Sequence, residues 1–304
     1  MICAREIEKI FKKSLFFSLF YVSALFKPGV YGSFYIIMLL VRVHIYILCC
    51  LFLFSSCLCS VAGRSGVSLP PKVVAHRGGA ALAPENTLLA IGAAMAAGVD
   101  MVEIDVRMTA DGYVVLLHDE KVNRTTDGKG RVGDMTLAQV KELSVVSDGR
   151  VTSLCVPTLE EVLLFVAGRC GVLVEVKDCD AGVEYAVADV IRRCDADGWV
   201  AVQSFSDAVL ERFCALGVSF PLEKLFVFKI PFVPYIFDGS VRRFSMEKYC
   251  YISSFNIHRS FVSSALVETL HASGKTVKAW TFPGGASGFC MPVDAVITDS
   301  PQLW

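Results

Sequence analysis

Glu103-Ile104-Asp105 and Glu175-Val176-Lys177 each place two ionisable side chains two residues apart within a short apolar run. In a strand that spacing turns both side chains to one face. On the dry inner side of a closed sheet such charges are costly unless they are paired. Three carboxylates that share a site repel one another until a cation neutralises them, and an all-oxygen donor set suits a hard divalent ion, Mg²⁺ or Ca²⁺, rather than zinc. Arg77 and Lys177 then remain as donors to an anion. The formal charges of three carboxylates, a divalent ion, two basic residues and a singly charged phosphodiester cancel. His76 and Arg77 also stand where an apolar run ends, before Gly78 and Gly79, and local structure alone gives no reason for them.

The elements that must position these groups alternate along the chain. Eight apolar runs read as strands: Val73–Arg77, Met101–Val106, Gly171–Val176, Trp199–Phe205, Lys224–Lys229, Tyr251–Phe255, Thr276–Phe282 and Asp294–Thr298. Between most of them lie stretches of helical period, at 86–97, 159–167, 183–194, 207–216 and 261–273. Asn86 or Thr87 is expected to cap the first of these helices. Eight such units predict a (β/α)8 TIM barrel, whose functional residues sit at the carboxyl ends of the strands. Val114–Leu117 breaks the alternation. It follows Asp105 across the turn Thr109-Ala110-Asp111-Gly112, too soon for a parallel return, so the two runs must pair antiparallel. That register brings His118 back roughly opposite Asp105. Residues 119–157 are then an insertion, polar and Gly-rich, with one short helix at 137–143.

The first sixty residues differ from the rest of the chain, so the mean hydropathy of +0.54 does not describe one folded body. Residues 1–62 form a hydrophobic leader and 63–71 a linker, leaving 72–304 for the barrel. The leader reads as one or two membrane-associated helices from Met1. It also reads as a secretory signal from Met38, cut after Ser60-Val61-Ala62, with 1–37 an over-extended start; the second is preferred. An exported protein is expected, periplasmic, secreted or attached to the membrane through the leader. A net charge of −1 argues against a nucleic-acid surface. Seven cysteines lie beyond residue 70, an odd number without CxxC spacing, and read as small core residues rather than a disulfide framework or zinc site.

The ordered series "AHRG", "APENT", "EIDVRMTADGYVVLLHD", "RTTDGKG", "MTLAQVKEL", "VPTLEEVL", "EVK", "QSF", "AWT" and "ITDSP", from His76 to Pro301, resembles the glycerophosphodiester phosphodiesterases. The resemblance implies hydrolysis of a glycerophosphodiester to glycerol 3-phosphate and an alcohol. It implies that His76 and His118 serve as acid and base and that Glu103, Asp105 and Glu175 hold the metal. Arg77 and Lys177 would hold phosphate oxygens, and Glu85 of the ENT motif would lie among the metal ligands or beside them. Trp280 reads equally as barrel packing or as a wall for the glycerol backbone. Phe282-Pro283 stands where the family carries a small residue and Asn. Residues 219–259 match weakly, and their Phe/Pro-rich part is where head-group or lipid preference would be set; an exposed apolar lip there would favour lysophospholipid over a water-soluble diester. The competing readings are a lysophospholipase D- or sphingomyelinase D-like enzyme and a surface binding protein on an inactive barrel. His258 and His271 are read as structural, and Asp299 as a cap for the last helix.

Overall fold

The computed structural model describes residues 70–177, 182–227, 246–285 and 289–304. The leader, the linker up to Leu69, Cys179 and residues 228–245 of the Phe/Pro-rich stretch lie outside the described residues. Among the described residues no helix is long and apolar enough to cross a membrane.

The first half of the barrel runs β1 (Lys72–Ala75), α1 (Leu88–Ala96), β2 (Met101–Met108) and β3 (Val114–Leu116). It continues through α2 (Leu137–Lys141), the hairpin β4 (Ser144–Ser147) and β5 (Arg150–Cys155), α3 (Leu159–Val166) and β6 (Gly171–Val176). The second half runs α4 (Val183–Arg193), β7 (Val200–Ser204), α5 (Asp207–Ala215), β8 (Leu222–Phe226), β9 (Ser254–His258), α6 (Ser264–Ala272), β10 (Thr276–Phe282) and β11 (Ala295–Thr298). The strands β2, β6, β7, β8, β9, β10, β11 and β1 pair in that order, all parallel, and β1 also pairs with β2 to close the ring. This is the (β/α)8 barrel expected from the alternation.

Alternation along each strand separates two environments. On β2, Val102, Ile104 and Val106 point outward into the large core shared with the helices, beside Ile91, Val162, Val174 and Ile191. Glu103 and Asp105 point inward. The interior has a small apolar floor of Val74, Leu173, Ala201, Ala295 and Ile297. Beyond it a polar level begins: Asp105, Glu175, Gln203 and Glu223 are successive register partners on β2, β6, β7 and β8.

Three local details differ from the sequence reading. Strands β8 and β9 lie a few residues from the apolar runs, because their inward positions Glu223, Ser254 and Asn256 are polar and interrupt the pattern. The insertion contains the hairpin β4–β5 as well as its short helix, turning at Asp148 (φ 50°) and Gly149 (φ 74°). Its small core of Val115, Leu117, Val122, Val132, Val140 and Val156 is separate from the main one. The described cysteines are exposed (Cys155, Cys214, Cys250, Cys290) or half-buried (Cys170, Cys194) rather than core residues. Of the two expected caps for α1, Thr87 is the one used, its Oγ1 accepting from the Ala90 amide. Such a cap is worth about 1 kcal/mol.

Candidate active site

The loop after β1 is held in an unusual backbone shape. Arg77 has φ 51°, and Gly78 and Gly79 have φ 77° and 100°, a region open to glycine at little cost. A Cβ on Gly78 would lie 2.9 Å from Ile91 Cγ1. These glycines therefore let the loop press against α1. The turn directs the Arg77 amide onto Glu103 Oε2 at 2.8 Å. It also turns His76 toward Asp299, at the carboxyl end of β11, with Nδ1 2.6 Å from Asp299 Oδ1. Asp299 is thus the partner of His76, and the last turn is not capped by it.

Asn86, freed from capping, clamps the next strand. Its Nδ2 donates to Asp105 Oδ2 at 2.8 Å and its Oδ1 accepts from the Asp105 amide at 3.1 Å. The hairpin pairs β2 and β3 antiparallel, and the Leu117 amide donates to the Asp105 carbonyl at 3.0 Å. Leu117 therefore opposes Asp105, and His118 comes one residue later. Its Nδ1 lies 2.7 Å from Asp119 Oδ1. Arg124 joins Asp119 Oδ2 (2.6 Å) to both oxygens of Glu85 (2.8 and 2.9 Å), and Arg77 reaches Glu85 Oε1 at 3.0 Å. Glu85 is thus held by two guanidinium groups and lies outside the carboxylate cluster.

That cluster is Glu103, Asp105 and Glu175, all buried, with ligand oxygens within 4.8 Å of one another. Lys177 does not stand apart as a phosphate donor here: its ammonium lies 3.0 Å from Asp105 Oδ1 and 2.5 Å from Glu175 Oε1. Neither of those oxygens receives a well-directed hydrogen bond. Burial, reinforced by the neighbouring Asp105, pushes the Glu103 carboxyl up to about 8. Burial would raise Asp105 too, but Lys177, His118 and Arg77 outweigh it and hold Asp105 down at about 2. The Glu175 carboxyl is raised by burial against the pull of Lys177. Three packed oxygen ligands, two of them held back from ionising by burial, form a donor set that fits a hard divalent cation.

The two histidines are tuned apart. Burial would lower His76, but the hydrogen bond to Asp299 and the nearby Glu103 and Asp105 raise it above the ordinary imidazole value. His118 is lowered, chiefly by burial and then by Lys177, against the pull of Asp105 and Asp119. From Glu85 and Arg124 a groove of about 580 Å³ leads outward between the β1–α1 loop (Ala80–Pro84) and the β4–β5 hairpin (Val145–Asp148). At another point of the rim, Trp280 donates from Nε1 to the Asn256 carbonyl (2.8 Å) and packs edge-on against Phe205 and His258.

Residues 76–303 match the model of the glycerophosphoryl diester phosphodiesterase family. The chain belongs to this family. It is 30% identical over 216 residues to a Bacillus altitudinis protein named glycerophosphodiester phosphodiesterase, a match covering 68% of this chain and 85% of that one. Among solved structures it is similar to an Oleispira antarctica phosphodiesterase in complex with the product sn-glycerol-3-phosphate. That likeness has TM-score 0.65 and 29% identity, and covers 76% of this chain and 94% of the other. An Agrobacterium tumefaciens glycerophosphodiester phosphodiesterase aligns with TM-score 0.63 and 27% identity, covering 77% and 99%.

Within this phosphodiesterase the departure at Phe282-Pro283 has a packing explanation. Phe282 is buried, with ring centroids 4.8 Å from Phe289 and 5.1 Å from Trp304. Sequence reasoning gave no role to Asp119, Arg124, Glu223, Asn256 or Lys278, and a different one to Asp299. For Asp119 the signal was its adjacency to His118. For Asp299 it was the carboxyl end of a barrel strand.

Proposed function

We propose that this glycerophosphodiester phosphodiesterase works with a divalent cation held by Glu103, Asp105 and Glu175, and with His76 and His118 as its acid–base pair. The observation that supports this most is the matched pair of imidazoles. Each has Nδ1 held by its own carboxylate, and both lie within electrostatic reach of Asp105.

A bound divalent ion supplies positive charge against the phosphoryl oxygens. With Nδ1–H given to Asp119, a neutral His118 keeps its Nε2 lone pair for the proton of the attacking oxygen. His76, held protonated by Asp299, offers Nε2–H to the leaving oxygen. As the new P–O bond forms, the bond to the alcohol breaks, one proton passes to His118 and one leaves His76. The products are glycerol 3-phosphate and the alcohol. Water and the glycerol 2-hydroxyl ask the same of these residues as attacking group; the latter gives a cyclic phosphate first. Arg77 balances phosphoryl charge, and Lys177, which here pairs with Asp105 and Glu175, would be free to do the same if those carboxylates held a cation. Trp280 supports the glycerol side, and the groove beside the insertion takes the alcohol. We place the enzyme outside the cytoplasmic membrane, on the reading of the leader as an export signal.

The test is release of glycerol phosphate and free alcohol by the full chain. Its panel holds glycerophosphocholine, glycerophosphoglycerol and a lysophospholipid, each with Mg²⁺, with Ca²⁺ and with EDTA. Turnover of the soluble diesters that EDTA abolishes is expected. Activity on the lysolipid alone favours the lysophospholipase D reading, and activity unaffected by EDTA overturns the metal assignment.

A further inference from the structure

On the wall of the barrel away from β2 lies a buried ion pair that no catalytic role uses. Lys278 Nζ on β10 is 2.5 Å from Glu223 Oε1 on β8, and the two residues are only 8% and 4% exposed. Such a pair adds little stability over apolar residues of similar size, so its presence asks for another reason. Its remaining contacts run in one direction. Asn256 Nδ2 donates to Glu223 Oε2 (2.8 Å) and to Gln203 Oε1 (2.7 Å), and Gln203 Nε2 donates to Glu103 Oε1 (3.2 Å).

Each step leaves the next no choice. An ammonium only donates and the carboxylate paired with it only accepts, so Asn256 must turn its NH₂ toward Glu223. The Ser254 hydroxyl, 3.1 Å from Asn256 Oδ1, supports the same orientation. The same NH₂ faces Gln203, which must answer with its carbonyl oxygen and so point its own NH₂ at Glu103. Gln203 and Asn256 are 1% and 0% exposed, so water does not offer the amides another partner.

We propose that Lys278, Glu223, Asn256 and Gln203 form a directional positioning relay, in which the ion pair fixes the Gln203 amide and thereby holds Glu103 for a divalent cation. Glu103 is then gripped at both oxygens, by Gln203 at Oε1 and by the Arg77 amide at Oε2. The inference rests on the reading of Glu103 as a cation ligand. Partners of this kind typically govern metal affinity by 10- to 100-fold.

Glu223→Gln is the informative change. A glutamine whose oxygen stays on Lys278 offers its NH₂ to Asn256, which flips, and Gln203 then turns its oxygen toward Glu103. Calorimetric titration of the full chain with Mg²⁺ and with Ca²⁺ should give a Kd at least roughly tenfold weaker than wild type. In a Gln203→Leu background, Glu223→Gln should add no further loss, because the relay acts only through Gln203. Glu223→Leu with Lys278→Met replaces the pair by apolar residues and guards against simple misfolding; it should keep the metal-free melting temperature yet still weaken binding. Unchanged Kd values in variants that melt at a lower temperature would overturn the relay and leave only a packing role. So would equal effects of Glu223→Gln with and without Gln203. Wild-type protein that binds neither ion would instead overturn the reading of the three carboxylates, and the relay with it.

Discussion

Asp299→Asn keeps the shape of the group that holds His76 Nδ1 but removes its charge. The contact is 2.6 Å long, and its two side chains are 18% and 31% exposed. A hydrogen bond to a charged group is worth about 1.5–3 kcal/mol. Partial exposure to water places this one at the lower end, about 1.5 kcal/mol, which is roughly tenfold in an equilibrium. His76 is raised above its ordinary value in the intact protein, the hydrogen bond to Asp299 being the strongest cause that raises it, so the substitution should lower it. As the proposed acid, His76 would set the descending limb of kcat/KM against pH. That limb should move to lower pH, while the ascending limb, which His118 would set, stays in place. On the alkaline side the variant should therefore lose roughly tenfold more than on the acid side. Stability carries the same signature. A histidine whose folded value lies above its unfolded one adds stability that is fully present below the unfolded value of about 6.5 and is lost as pH rises through the folded value. The melting-temperature gap between wild type and variant should thus be widest near pH 5.5 and close at alkaline pH. A descending limb that stays put, or a gap that widens with pH, would refute the pairing of Asp299 with His76 as the source of the acid.

Three further outcomes can be measured directly. With Glu103 pushed up to about 8 in the metal-free protein, capture of a divalent ion near pH 7 must displace roughly one proton, and affinity should rise roughly tenfold between pH 7 and 9; calorimetry in buffers of different ionisation heat reads both, and a pH-independent affinity contradicts the site. Gly78→Ala combines a positive φ with a 2.9 Å approach to Ile91 and should cost about 1–3 kcal/mol in denaturant unfolding. Gly98→Ala, also at positive φ but with nothing within 4 Å of the new Cβ, should cost less, and equal losses would remove the packing explanation. If residues 38–62 are an export signal, N-terminal sequencing should find mature protein starting near Gly63, whereas membrane-bound protein beginning before Tyr46 would mean an uncleaved anchor.

The parts of the barrel written locally were readable. Glu103 and Asp105 lie two apart, as do Glu175 and Lys177, and on a strand the period of two settles which side they face. The turn at Thr109–Gly112 forces an antiparallel return and so brings His118 near Asp105, within one residue of the register read from sequence. Where strand ends meet through closure of the ring, the sequence was silent. His76 and Asp299 are 223 positions apart, and their contact exists only because β1 pairs with β11. Glu223 and Lys224 stand side by side in "LEKLF", and their neighbours do not say which one faces the interior. Lys224 turns outward to Asp207 at 2.9 Å, and Glu223 turns inward to Lys278. The β4–β5 hairpin had a local signal in Asp148-Gly149, a dipeptide suited to tight turns, but its flanking runs are short and polar and read as loop.

The central claim is that His76 and His118 divide the acid and base work on a phosphodiester held at the Glu103, Asp105 and Glu175 cluster. It is tested most directly by kcat/KM of His76→Ala, His118→Ala and the double variant on glycerophosphocholine and on a p-nitrophenyl diester, with metal binding followed in the same preparations. On glycerophosphocholine each single change should lower turnover by roughly 10²-fold or more with metal binding retained. The double variant should be little worse than the poorer single one. The p-nitrophenyl diester, whose leaving group needs no proton, should restore His76→Ala and not His118→Ala. Near-normal turnover of glycerophosphocholine by both single variants would contradict the two-histidine mechanism.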